Sequence, residues 1–195
     1  MENKKYLPIK IIHLILMVAA IVLCCVSLTK LGADTIFFSD TGLRMVSYII
    51  EIIALISGII YLAFGYKKNA AVYYKAFMVI LVVVQAIICY RQMVGAISPD
   101  AVQASFIAIC NIVSFIMLVI LATGKDLGKA KSYVIAVILL VCRLSILILD
   151  LIVFRGMLRF VIAIISFAVS DVLLAGTAFF MVTGKYLDKT ERGTK

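Results

Sequence analysis

The sequence predicts an all-α membrane protein with six transmembrane helices. Of its 195 residues, 65% are hydrophobic and only 15% charged, against roughly 45–50% and 25% in soluble domains. Mean hydropathy is +1.20. Two further observations point the same way: six separate apolar runs, and a lopsided distribution of Lys and Arg around them.

The first run, Ile9–Leu28, follows a basic N-terminal stretch. It is longer than a signal-peptide core, and Leu31-Gly32-Ala33 is only a faint cleavage site, so a retained first span is expected. The others are Met45–Phe64, Val72–Tyr90, Ala101–Ala122, Tyr133–Phe154 and Met157–Val182. Each is about 18 to 26 residues long, enough for a helix to cross a hydrocarbon core of roughly 30 Å. Barrel strands are much shorter and alternate in polarity, and within lipid only helices and closed barrels satisfy the backbone. Six spans use most of the chain, so residues 1–195 are expected to form a single domain with no soluble part.

Orientation follows from the basic residues. One set of flanks carries Lys4, Lys5, Lys10, Lys67, Lys68, Lys75, Lys125, Lys129, Lys131, Lys185, Lys189, Arg192 and Lys195; the other carries Lys30, Arg44, Arg91, Arg155 and Arg159. The positive-inside rule makes the first set cytoplasmic, with both termini inside and the chain in the cytoplasmic membrane. The net charge of +9 is thus a topology signal and not an extended basic face for nucleic acid. The short link at Arg155–Gly156 makes the fifth and sixth helices antiparallel neighbours.

The even spans end alike, in Phe64-Gly65-Tyr66-Lys67, Thr123-Gly124-Lys125 and Thr183-Gly184-Lys185. Their glycines recur at about 60 residues, the pattern of three tandem antiparallel helical hairpins at about 1–68, 69–127 and 128–195. Gly followed by Lys is also an ordinary cytoplasmic end for a membrane helix.

Ionisable and amide groups inside spans are costly and by default functional. The candidates are Glu51, Gln85, Asn111, Arg143, Asp150 and Asp171. Glu51, Asn111 and Asp171 each precede a repeat glycine by about 13 residues, at a common depth of about 20 Å. Counted from the 155–156 turn, Arg143 and Asp171 lie at matching heights on antiparallel helices, so a buried ion pair between them is expected. Asp150, two turns from Arg143 on the same face, would extend a polar track with Glu51. The structural alternative is that these charges only specify which helices associate.

Ala163, Ser166, Ser170 and Thr177 form a small-residue stripe on the sixth helix, read as a packing face. Cys24, Cys25, Cys89, Cys110 and Cys142 all lie in spans without a Cys-x-x-Cys, and read as small packing residues more than as a redox relay. His13, beside Lys10, is expected at the membrane interface. It has no second ligand at metal-binding spacing, so neither metal nor cofactor is expected. No familiar enzyme signature is present.

The stretch Phe167-Ala168-Val169-Ser170-Asp171-Val172-Leu173-Leu174-Ala175, followed by Phe179-Phe180, resembles the Ser-Asp-x-x-Leu-Ala helix of the lysoplasmalogenase family of multispan hydrolases. That resemblance implies a membrane-embedded acid at Asp171. In architecture the chain is similar to the substrate-binding subunits of energy-coupling-factor vitamin transporters and to acid-resistance HdeD-type proteins. The leading expectation is a non-catalytic membrane protein that binds or conducts a small solute or ion, or serves as an accessory subunit. An intramembrane lipid hydrolase and a purely structural assembly protein are the alternatives. The bilayer, a small solute, ion or lipid, and a membrane-protein partner or second copy are the expected partners, without nucleic acid.

Overall fold

The computed structural model describes residues 7–33, 41–64, 70–94, 101–123, 127–153 and 168–183. These form six helices: α1 Leu7–Ala33, α2 Thr41–Phe64, α3 Ala70–Val94, α4 Ala101–Thr123, α5 Lys129–Val153 and α6 Ala168–Thr183. Three contain segments long and apolar enough to cross a membrane, Leu7–Thr29, Val102–Thr123 and Lys129–Ile152. The chain is a helical membrane protein. The repeat glycines, the 155–156 turn, Ala163 and Ser166 lie outside the described residues.

Local sequence accounts for how the helices begin and run. Pro8 sits in the first turn of α1, where its missing N–H removes no intrahelical bond. Gly128 takes the left-handed conformation (φ 73°) just before α5, a position that favours glycine. Its carbonyl accepts the Ser132 N–H at 3.2 Å, the first bond of the helix. Within the spans, hydroxyls return to carbonyls one turn back, Ser114 to Cys110 at 2.7 Å and Thr123 to Val119 at 2.7 Å, so these polar groups need no water.

The exterior of the bundle is as apolar as its core, and polar side chains are held within. Large apolar side chains such as Ile12, Ile15, Ile109 and Ile152 are on the outside, while Glu51, Gln85, Asn111 and Arg143 are buried. A continuous apolar exterior of this kind is matched to lipid.

Helices adjacent in sequence from α1 to α5 pack against one another in order. The sixth takes the central place: every described residue of α6 is buried or half-buried. It touches α1 through His13 and Thr177, α2 through Glu51 and Ser170, and α5 through Arg143 and Asp171. Directions follow from these contacts. On α5 and α6, Tyr133 meets Phe179 and Arg143 meets Asp171, so ascending numbers on one helix meet descending numbers on the other, an antiparallel pair. On α2 and α6, Glu51 meets Ser170 and Gly58 meets Thr177, a parallel pair.

Two glycines permit the close approach of α6. At Gly58 an added Cβ would lie 2.8 Å from the Met17 Cε and 3.1 Å from Phe77, where α1, α2, α3 and α6 converge. At Gly176 it would lie 2.8 Å from the His13 Cε1, part of a ring that cannot fold away. Gly176→Ala is therefore expected to push α1 from α6 and to destabilise the protein by about 1–3 kcal/mol. A lower thermal midpoint in detergent, together with a shifted His13 imidazole NMR signal, checks this.

Candidate functional site

Four of the six polar residues singled out from the sequence are joined by direct hydrogen bonds across four helices. On α3, the Gln85 Nε2 donates to the Asn111 side-chain oxygen at 3.2 Å and to the Asn111 backbone carbonyl at 3.1 Å. On α5, the Arg143 Nη1 donates to that same Asn111 Oδ1 at 2.9 Å. Nη1 also donates to the Asp171 Oδ2 of α6 at 3.0 Å. The result is a ladder Gln85, Asn111, Arg143, Asp171 running α3 to α4 to α5 to α6.

The ladder exists because each helix contributes one polar side chain on its inward face at the same height. The Asn111 Oδ1, with two lone pairs, receives both neighbours. Gln85 is 3% exposed, Asn111 1% and Arg143 4%, so these groups bond one another in place of water. The expected Arg143–Asp171 pair is present at 3.0 Å, with the Asp171 side chain at 17% exposure.

The remaining two candidates stand differently. Glu51 is buried on α2 and accepts a hydrogen bond from the Ser170 Oγ. Because Ser170 directly precedes Asp171, Glu51 reaches the ladder through α6 and not through a contact with Arg143. Asp150 is half-buried and within electrostatic reach of Asp171. Among the described residues it makes no hydrogen bond to the ladder.

A second polar contact lies two turns along α6. The Thr177 hydroxyl donates back to the Leu173 carbonyl at 2.9 Å. The same oxygen shares a hydrogen bond with the His13 Nε2 at 2.8 Å. The imidazole also packs against Phe180, with ring centroids 5.1 Å apart. His13, expected near the membrane interface, is buried: its ring packs against α6 and ties α1 to it. An imidazole near the end of a span matches a headgroup anchor and a buried tether equally well, and only the Gly176-Thr177 pair on α6 signals the second.

The small-residue stripe of the sequence places Ser170 on a packing face. It is fully buried as that reading requires, yet its hydroxyl also serves Glu51. The five cysteines are free thiols, and Cys110 approaches Cys142 across α4 and α5. Among the described residues no three His, Cys, Asp or Glu side chains gather at metal-binding distances.

The Arg143 guanidinium carries five N–H donors. Its two acceptors among the described residues, Asn111 and Asp171, are reached through Nη1 alone. The Nε–H and both Nη2–H groups have no acceptor among the described residues.

The arrangement is a polar ladder enclosed in the apolar bundle of a helical membrane protein. No protein-family model, curated protein or solved structure matches the chain.

Proposed function

We propose that this chain is a non-catalytic, six-span protein of the cytoplasmic membrane that binds a small solute or ion at the Gln85–Asn111–Arg143–Asp171 ladder, with Glu51 and Asp150 flanking it. The observation that carries the reading is the ladder itself: four helices each direct one polar side chain to one buried point. Packing alone is satisfied by small residues and apolar contacts. Buried polar and charged groups cost stability, and their gathering in one place is the mark of a site.

The topology proposed with it has both termini cytoplasmic and the spans arranged as three tandem hairpins. Lys10, Lys129 and Lys131 support this, because α1 and α5 begin beside the C-terminal end of α6, as the His13–Thr177 and Tyr133–Phe179 contacts require. The engagement of Asp171 by Arg143 favours binding over hydrolysis, since a carboxylate held by a guanidinium is poorly placed to donate a proton.

The test is a thermal-shift panel on the purified full chain in micelles, covering monovalent and divalent cations, inorganic anions, and neutral and charged organic solutes. A ligand that binds only the folded state raises the midpoint as its concentration passes its dissociation constant. At least one class is expected to raise it, with the rise lost in Glu51→Gln and in Asn111→Leu. A panel in which no class shifts the wild-type midpoint, or in which both variants respond as the wild type does, overturns the reading.

A further inference from the structure

We infer that the Nε and Nη2 edge of Arg143 binds a neutral carbonyl oxygen, from an amide or ester group, as the ligand of the polar ladder. This rests on the binding-site reading above and assigns its chemical class. Arg143 is 4% exposed, and both of its hydrogen bonds to the described residues leave from Nη1, to Asn111 Oδ1 at 2.9 Å and to Asp171 Oδ2 at 3.0 Å. Three N–H groups of this buried side chain have no acceptor among the described residues. A buried polar donor without a partner is penalised far more than an exposed one, and the penalty is larger for a charged group. The geometry of those donors is specific. Nε–H and one Nη2–H point in parallel from one edge of a rigid plane, the fork by which guanidinium groups grip oxygen acceptors.

Charge selects among such acceptors. Asp171 already balances the guanidinium at 3.0 Å, and Asp150 lies within electrostatic reach of Asp171. A carboxylate or phosphate added there would be a further anion in a low-dielectric bundle, paired only by sharing a cation already paired. A carbonyl oxygen adds no net charge, and its two lone pairs accept both N–H groups of the fork. The span-deep position of Arg143 on α5 and the apolar exterior suit two sources of that group: a small uncharged amide or ester solute, and the acyl ester of a membrane lipid.

The test has one arm for each source, using the full-length protein. In micelles, butyramide is titrated against butyrate and inorganic phosphate at neutral pH. In nanodiscs, diacyl phosphatidylglycerol is compared with its dialkyl ether analogue, which lacks only the ester carbonyls. The readouts are the thermal midpoint and the Arg143 Nε–H resonance of protein labelled with 15N at arginine. Either butyramide or the diacyl lipid is expected to shift both readouts. Butyrate and phosphate are expected to bind at least about tenfold more weakly, in keeping with the unfavourable burial of an extra anion. Arg143→Lys keeps a cation for Asp171 but removes the fork, and is expected to weaken binding by at least about tenfold. Should that variant not fold, the Nε–H resonance of the wild type decides alone.

The inference is overturned if neither carbonyl source moves the Nε–H resonance, if butyrate or phosphate binds more tightly than butyramide, or if folded Arg143→Lys binds as the wild type does. A thermal shift from some other class, lost in Asn111→Leu, would preserve the binding site while discarding the carbonyl ligand.

Discussion

Asp171→Asn is expected to be the most damaging single substitution in the bundle, lowering stability by about 3–5 kcal/mol, the usual cost of breaking a buried pair by removing one charge. The Asn side chain is close in shape, so the loss is electrostatic. Arg143 would remain 4% exposed with only neutral oxygens to accept from it, that of Asn111 and that of the substituted amide. The loss is measured as the fraction recovered monodisperse from detergent and as the thermal midpoint of that fraction. A companion variant separates charge from packing. Replacing both partners by apolar residues, Arg143→Met with Asp171→Leu, removes the orphaned cation and is expected to recover most of the stability lost in Asp171→Asn. A single variant as stable as the wild type, or a double variant worse than the single, would show that the 3.0 Å contact does not hold α5 to α6.

The Arg143–Asp171 contact was legible in the sequence because it depends on arithmetic alone. Two antiparallel helices with a fixed rise of about 1.5 Å per residue bring positions equidistant from their link to the same height. Gln85 and Asn111 were legible as polar groups in apolar runs, but their bond to each other was not, since no short link sets the register of α3 against α4 by counting. The central place of α6 was hidden for a different reason. In a soluble bundle the buried helix is apolar all round while the others are amphipathic; in lipid the outward faces are as apolar as the inward ones, and hydropathy cannot rank the six runs by depth in the bundle. The sign that remained was small side chains: Ser170 and Thr177, read as packing from the sequence, together with Gly176 beside them, let α6 stand against α1 and α2 at once. Their hydroxyl contacts to Glu51 and His13 carry no separate signature, because Ser and Thr in a span satisfy themselves on their own helix equally well.

The ladder makes a graded prediction that a set of independent contacts would not. Asn111 is its junction: the one side-chain oxygen receives Gln85 at 3.2 Å and Arg143 at 2.9 Å. Asn111→Leu strips an acceptor from a buried cation, and hydrogen bonds to charged groups contribute about 1.5–3 kcal/mol; a loss of that size is expected. Gln85→Leu removes only a neutral donor from an oxygen that Arg143 still occupies. Neutral interhelical bonds in membranes average about 0.6 kcal/mol, so a change below about 1 kcal/mol is expected. The asymmetry is sharpened by the second bond of Gln85, to the Asn111 backbone carbonyl at 3.1 Å, which Asn111→Leu leaves intact. In the double variant the two losses should not add, because once Asn111 is gone Gln85 has only its backbone contact there left to lose. Thermal midpoints of the two single variants and the double variant, closed as a cycle, test this. Equal costs for the two single variants would mean that Arg143 draws no support from Asn111, and that the polar groups of α3 and α4 stand apart from those of α5 and α6.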